Sequence, residues 1–238
     1  MPGLFITGTD TGVGKTLVTT TLLESLRHLG VTALGMKPVA AGCDRVDGVW
    51  VNEDVARIRA ASAVALPERL VNPYLFREAI APHIAAEHKG VKIEIRHIVE
   101  SYEALAAQAK WVLVEGVGGF MVPINARQDM AALAVALNLP VILVVGMRLG
   151  CLSHALLTQE AVVLRGLPLA GWVANQLEPR MAAYNENLAT LQQRLQVPLI
   201  AEIPFLSVPD PLHAMGFVAN RRLLAVLDGI ADVHSGAE

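Results

Sequence analysis

Cysteine is scarce in this chain: two residues among 238, Cys43 and Cys151, far apart and in no metal-type spacing. That excludes a disulfide framework and a cysteine-built zinc site, and it fits a reducing compartment, with the cytoplasm as the expected location. An excess of one charge is also missing. Nineteen Lys and Arg face 22 Asp and Glu, for a formal net charge of −3, so there is no general attraction to nucleic acid or to an acidic membrane. Neither is expected as a partner, and any anion site must be built locally from loops and a few lysines. An unbroken membrane-length apolar run is lacking as well. Mean hydropathy is high at +0.46, but the uncharged stretch from Met130 to Met147 is cut by Asn138 and Pro140 into a helix-length half and a strand-length half. No basic segment followed by an apolar one opens the chain, so no secretory signal is expected. The seven histidines form no HxxxH-like pair and are read as surface or packing residues.

What is present is a regular alternation. Strand-length apolar runs occur at Leu4–Thr7, Thr32–Met36, Trp111–Val114, Val141–Val145, Leu169–Ala174 and Leu199–Ile203. Helix-like stretches lie between them: Thr16–Leu29, Asn52–Ala61, Ile95–Gln108, Met130–Leu137, Ser153–Leu164, Met181–Leu195 and Ala219–Ala231. Runs without period-two alternation are strands covered on both faces, so the expected fold is α/β, a doubly wound, mostly parallel sheet flanked by helices. Residues 1–238 are expected to form one domain, and Leu66–Gly90, richer in Pro and His, an irregular excursion with a short helix.

The first run feeds the sharpest motif, Gly8-Thr9-Asp10-Thr11-Gly12-Val13-Gly14-Lys15-Thr16. Gly-rich backbone between a strand and a helix directs N–H groups at phosphate oxygens, and the positive helix end adds to their field. Lys15 would reach the outer phosphates and the Thr16 hydroxyl would hold Mg²⁺. Five residues separate Gly8 from Gly14, one more than in the common form, so this is a variant loop.

In such a sheet ligands gather at the carboxyl ends of the strands. Lys37 follows the second strand, either as a solvated surface charge or as a second cation beside the phosphates. Glu115 ends the third strand ahead of Gly116-Val117-Gly118-Gly119, which suits a metal ligand with close ligand approach. Asp54 is a weaker candidate, because an acid in a first helical turn also serves the helix dipole. Gly150-Cys151-Leu152-Ser153 opens a helix whose free N–H groups suit a carboxylate, although Ser153 also reads as a plain N-cap. Asn175 suits an adenine edge or a turn equally, and Pro204 either walls a base pocket or stops a strand.

Six motifs in order, Gly-Thr-Asp-Thr-x-Val-Gly-Lys-Thr at Gly8, Lys-Pro-Val-Ala at Lys37, Val-Glu-Gly-x-Gly-Gly at Val114, Leu-Gly-Cys at Leu149, Gly-Trp-Val-Ala-Asn at Gly171 and Glu-Ile-Pro at Glu202, make nearly the whole chain resemble the dethiobiotin synthetases. The resemblance implies a P-loop NTPase fold and an ATP- and Mg²⁺-dependent ligase. Such a ligase closes the ureido ring of dethiobiotin from 7,8-diaminopelargonic acid and CO₂, usually as a homodimer with substrate at the subunit interface. It implies Lys37 and Lys15 as catalytic cations. The nucleotide would be held by Gly12, Val13, Gly14, Lys15, Thr16 and Leu17, with Glu115, Asn175, Gln176 and Pro204. Thr16, Asp54 and Glu115 would bind Mg²⁺, while Lys37, Gly150, Cys151 and Leu152 would meet the substrate. Tyr184 to Asn187 could reach across a dimer. The chain departs from the family where Ala41 and Ala81 stand in place of Ser and Gly12 in place of an acid, so no substrate role passes to those side chains.

Two rivals share this fold type. Nucleotide-driven switches that position cell components usually carry a further lysine early in the phosphate loop, where this chain has Asp10, and they need a basic or amphipathic surface that is not evident here. Amidotransferase-linked synthetases need an added glutamine-hydrolysing domain, for which there is no room.

Overall fold

A computed structural model describes residues 3–235. Its centre is a six-stranded sheet ordered β10-β9-β8-β1-β7-β2. β1 (Gly3–Gly8) lies between β7 (Trp111–Gly119) and β8 (Val141–Met147), with β2 (Ala33–Met36) outside β7, and β9 (Leu169–Gln176) and β10 (Leu199–Ile203) outside β8. Every pairing in it is parallel. β1 and β8 are buried along their whole lengths, as runs without alternation require. The crossovers are α1 (Lys15–His28), α2 (Glu53–Ala61), α5 (Ile95–Ala106), α6 (Met130–Leu137), α7 (Cys151–Leu164) and α8 (Tyr184–Leu195), and α10 (Asn220–Ser235) is the last element among the described residues. The expected doubly wound parallel sheet is what is found.

Close packing has local reasons. Gly35 in β2 has no Cβ because one there would meet Ile58 of α2 at 2.4 Å and Leu23 of α1 at 2.9 Å, so two helices settle directly on this strand. α6 begins at the Asp129 cap, whose carboxylate accepts from the Ala132 N–H at 2.7 Å, and stops at Asn138 in the left-handed region. Asn138 and Pro140 thus divide helix from strand as the sequence indicates. Among the described residues no helix is long and apolar enough to cross a membrane.

Three expectations need correction. The carboxyl ends of β7, β8 and β9 run two to five residues past the apolar runs, because pairing continues there, as between Gly8 and Gly119, Gly146 and Asn175, and Met147 and Gln176. α7 starts at Cys151 with Gly150 as its cap (φ 94°), so Ser153 lies inside the first turn and caps nothing. The excursion from Leu66 to Gly90 is more ordered than expected: α3 (Glu68–Val71), β6 (Tyr74–Phe76) and α4 (Pro82–His88). β6 pairs in parallel with β3 (Val39–Ala41), just beyond Lys37. A further hairpin, β4 (Asp44–Val46) with β5 (Val49–Val51), projects before α2. The short α9 (Pro211–Ala214) follows β10.

Candidate active site

The loop from Thr9 to Gly14 crosses the end of β1, anchored where the Thr9 N–H donates to the Val144 carbonyl at 3.0 Å. No side chain caps α1 and no acid stands in its first turn, so the positive end of the helix is open to a ligand. Gly14 takes φ 86°, and a Cβ there would lie 2.2 Å from Asn175 Nδ2. Only glycine meets both conditions. Asn175, at the end of β9, donates Nδ2 to the Val13 carbonyl at 2.9 Å and so braces the loop from below.

Lys15 is 7% exposed and donates Nζ to the Asp10 carbonyl at 2.8 Å. Burial, with the like charge of Lys37 nearby, brings its pKa down to about 8. Asp10 accepts from the Thr11 N–H at 2.7 Å and pairs with Arg148. The Thr11 bond leads in holding its carboxyl below the usual range, with burial opposing and Arg148 and His154 assisting.

A second cation enters from the other side. The register sets Met36 beside Val114 and Ile6 beside Glu115, so Lys37 and Glu115 emerge together at the sheet edge. Both are buried, and the Lys37 ammonium pairs with Glu115 Oε1 and lies 3.1 Å from Asp54 Oδ2. The Thr16 hydroxyl donates to the same Glu115 oxygen at 2.9 Å. Burial would lower the Lys37 pKa, but the two carboxylates outweigh it and hold it above the ordinary value. For Asp54, burial pushes upward while Lys37 and the Thr16 hydroxyl pull harder, leaving it below the usual carboxylate range. Lys37 is therefore no solvated surface charge.

Asp54 is fixed by Asn52, whose Oδ1 accepts from the Val55 N–H at 3.1 Å as the cap of α2 and whose Nδ2 donates to the Gly42 carbonyl at 2.6 Å. An Asn one residue before an acidic first turn is a capping signal that could have found this support.

These groups share one cavity of about 470 Å³. Gly12, Gly14, Lys15, Thr16 and Leu17 line it, as do Lys37, Asp54, Glu115, Asn175 and Gln176. Val13 is buried beneath the loop instead. Pro204 is not in the lining; Phe205, Leu206 and Pro209 just after it are, and neither they nor Arg57 and Leu177 carry a motif in the sequence, whereas Val117 belongs to the glycine-rich run after Glu115. Ala41 lines the cavity with only a methyl group, while Ala81 caps α4 away from it. Gly150, Cys151 and Leu152 lie outside the lining, and the Cys151 N–H already donates to the Arg148 carbonyl at 3.0 Å. Burial, with the carboxylate of Glu202 in its own chain, pushes the Tyr184 hydroxyl pKa up.

The oxygens of Thr16, Asp54 and Glu115 suit a hard divalent cation. Glu115 Oε2 is buried without a partner, an acceptor aimed at something not supplied by the protein. Among the described residues no three His, Cys, Asp or Glu side chains form a full metal cage. Mg²⁺ needs no such cage, since it takes one or two carboxylates and completes its shell with phosphate and water.

Comparison with known proteins shows the family. A family model described as an AAA domain matches residues 2–211. The ATP-dependent dethiobiotin synthetase BioD of Aromatoleum aromaticum is 53% identical over 207 residues, 87% of this chain and 92% of that protein. The chain belongs to the dethiobiotin synthetase family. The enzyme of the same name from Nitrosospira multiformis is 50% identical over 203 residues, 85% of this chain and 88% of the other. As a dethiobiotin synthetase family member the chain is an ATP-dependent ligase of biotin synthesis.

Solved structures confirm the fold. The MinC:MinD cell division complex of Aquifex aeolicus aligns with a TM-score of 0.59 at 15% identity, covering 94% of this chain and 96% of that one. MinD of Pyrococcus horikoshii, complexed with Mg-ADP, aligns at 0.54 and 18% identity, covering 99% and 97%. At such identities these cell-division proteins share the architecture alone.

Proposed function

We propose that this ligase joins CO₂ to 7,8-diaminopelargonic acid and closes the ureido ring of dethiobiotin in the cavity between the phosphate loop and Lys37, with ATP split to ADP and phosphate. The observation that carries the reading is the buried Lys37 ammonium, set between Glu115 and Asp54 beside the loop's own Lys15.

One substrate amine attacks CO₂, forms an N–C bond and loses a proton to water, leaving a carbamate. A carbamate oxygen then displaces ADP from the γ-phosphorus. The second amine attacks the carbonyl carbon of the resulting mixed anhydride, closes the ring, releases phosphate and loses its own proton. Each step moves negative charge among oxygens, so alignment and fixed positive groups matter more than a strong protein base. Lys15 and the N–H groups of Gly12 to Leu17 would hold the β- and γ-phosphates, and Lys37 would meet the carbamate and γ-phosphate oxygens. Asn175, Gln176 and the Phe205–Leu206 segment line the cavity and would meet the base. Thr16, Asp54 and Glu115 would hold Mg²⁺, which when bound spreads the charge of the transferred phosphoryl group.

The turn at Gly150, Cys151 and Leu152 does not line the cavity of its own chain, and Leu149 beside it is 97% exposed. That supports a homodimer in which this turn takes the tail carboxylate of a substrate seated in the partner's cavity.

Incubation with the diamine, ¹³C-bicarbonate and MgATP should give dethiobiotin one mass unit heavy, with one ADP per ring. ATP hydrolysis indifferent to the diamine, with no ring product, would refute the proposal and favour a nucleotide-driven switch.

A further inference from the structure

Lys37 extends from β2, the outermost strand of the sheet, and Pro38 follows it without an N–H to pair. An edge of this kind leaves backbone groups in want of partners. Here the end of α3 supplies them. The Lys37 N–H donates to the Val71 carbonyl at 2.9 Å, and the Lys37 carbonyl accepts from Asn72 Nδ2 at 2.6 Å. The same nitrogen also donates to the Tyr74 carbonyl at 3.2 Å, while the Tyr74 N–H donates to the Pro38 carbonyl at 3.1 Å.

Asn72 is 6% exposed, and its Oδ1 is buried with no partner. Two carbonyls around one nitrogen fix the way the amide faces, because an oxygen in its place would oppose both. The unpaired Oδ1 is a cost that an apolar side chain of similar size would avoid, so packing alone does not account for asparagine here.

We propose that Asn72 is a positioning residue for Lys37: its amide holds the Lys37 backbone so that the ammonium stays between Glu115 and Asp54. The proposal rests on the role given to Lys37 above. Asn72 is not itself in the cavity lining and reaches the site only through the Lys37 backbone carbonyl.

The test is steady-state kinetics on the full chain, with active sites counted by titration with a non-hydrolysable ATP analogue. Asn72→Leu removes the donor and keeps the bulk; Asn72→Ser keeps a shorter donor and serves if the leucine variant does not fold. Asn72→Leu is expected to lower kcat per site about 10- to 100-fold, since small misplacements of a reacting group cost that much. The KM for MgATP should stay within about 2-fold, because the phosphate loop is untouched, and Asn72→Ser should fall between the leucine variant and the parent. With Lys37→Gln already in place, the asparagine substitution should add less than about 2-fold, since the group it positions is gone. An unchanged kcat in Asn72→Leu and Asn72→Ser, or a full additive loss on top of Lys37→Gln, overturns the proposal while leaving the reading of Lys37 intact. Lys37→Gln turning over at the parental rate would instead remove that reading and this proposal together.

Discussion

Raising the pH from 7 to 9 should weaken MgATP binding about tenfold, and Lys15 is the cause. In the free protein its pKa lies near 8, held down first by burial and then by Lys37. The charged form is therefore complete well below pH 8 and is lost as pH rises through it. A phosphate oxygen carrying unit charge about 4 Å away, at an effective dielectric near 20, is worth about 4 kcal/mol, or about 3 pK units, which restores the full charge in the complex up to at least pH 9. The proton taken up on binding is then the fraction missing from the free protein: about 0.1 at pH 7, about 0.5 at pH 8 and about 0.9 at pH 9. Lys37 is held above its ordinary range and Asp54 below its own, so neither competes in this window. Isothermal titration calorimetry in buffers of different ionisation enthalpy measures the uptake directly, with Lys15→Met as the variant that should show none. No uptake at pH 8 would refute the argument.

Two further outcomes follow from the same geometry. Glu115→Gln removes a charge from the Thr16, Asp54 and Lys37 cluster, so turnover at limiting Mg²⁺ should fall about 100-fold while the circular dichroism of the fold is kept; an unchanged Mg²⁺ dependence would remove Glu115 from the metal site. Gly14→Ala forces a side chain into the left-handed region and drives its Cβ at Asn175 Nδ2, 2.2 Å away. At about 2 kcal/mol or more for both effects, Tm should drop by about 4–8 °C, and ATP affinity should fall with it. A thermal scan within 1 °C of the parent, about the error of such a scan, would contradict that clash.

Much of this was legible because the fold places chemistry at strand ends. Apolar runs such as Val141–Val145 read as covered strands, and polar residues at the strand ends, Lys37, Glu115 and Asn175, line the candidate site. The family motifs then sharpened which ends mattered. Less visible were pieces too short for periodicity. β3 and β6 have three residues each, and nothing in Val39–Ala41 or Tyr74–Phe76 alone distinguishes a strand from a loop. The β4–β5 hairpin did carry a signal: Asp47-Gly48 between apolar residues, with φ of 48° and 84°, is a hairpin turn. Asn72 left no trace in sequence, since an Asn before a Pro reads as an ordinary turn. Its meaning depends on a carbonyl 35 residues away.

The pairing of Lys37 with Glu115 and Asp54 has one more consequence. Two ammonium groups, Lys15 and Lys37, balance two carboxylates in this cup, and Arg57 at its rim is matched by Glu53. The pocket therefore projects little long-range field, and encounter with the nucleotide should be nearly insensitive to ionic strength. Discrimination arises only at contact, where an arriving metal–polyphosphate unit can exchange partners with each member of the balanced set. A bare polyanion would leave the carboxylates facing it, so under the proposed reading the cup would accept its nucleotide already loaded with a divalent ion.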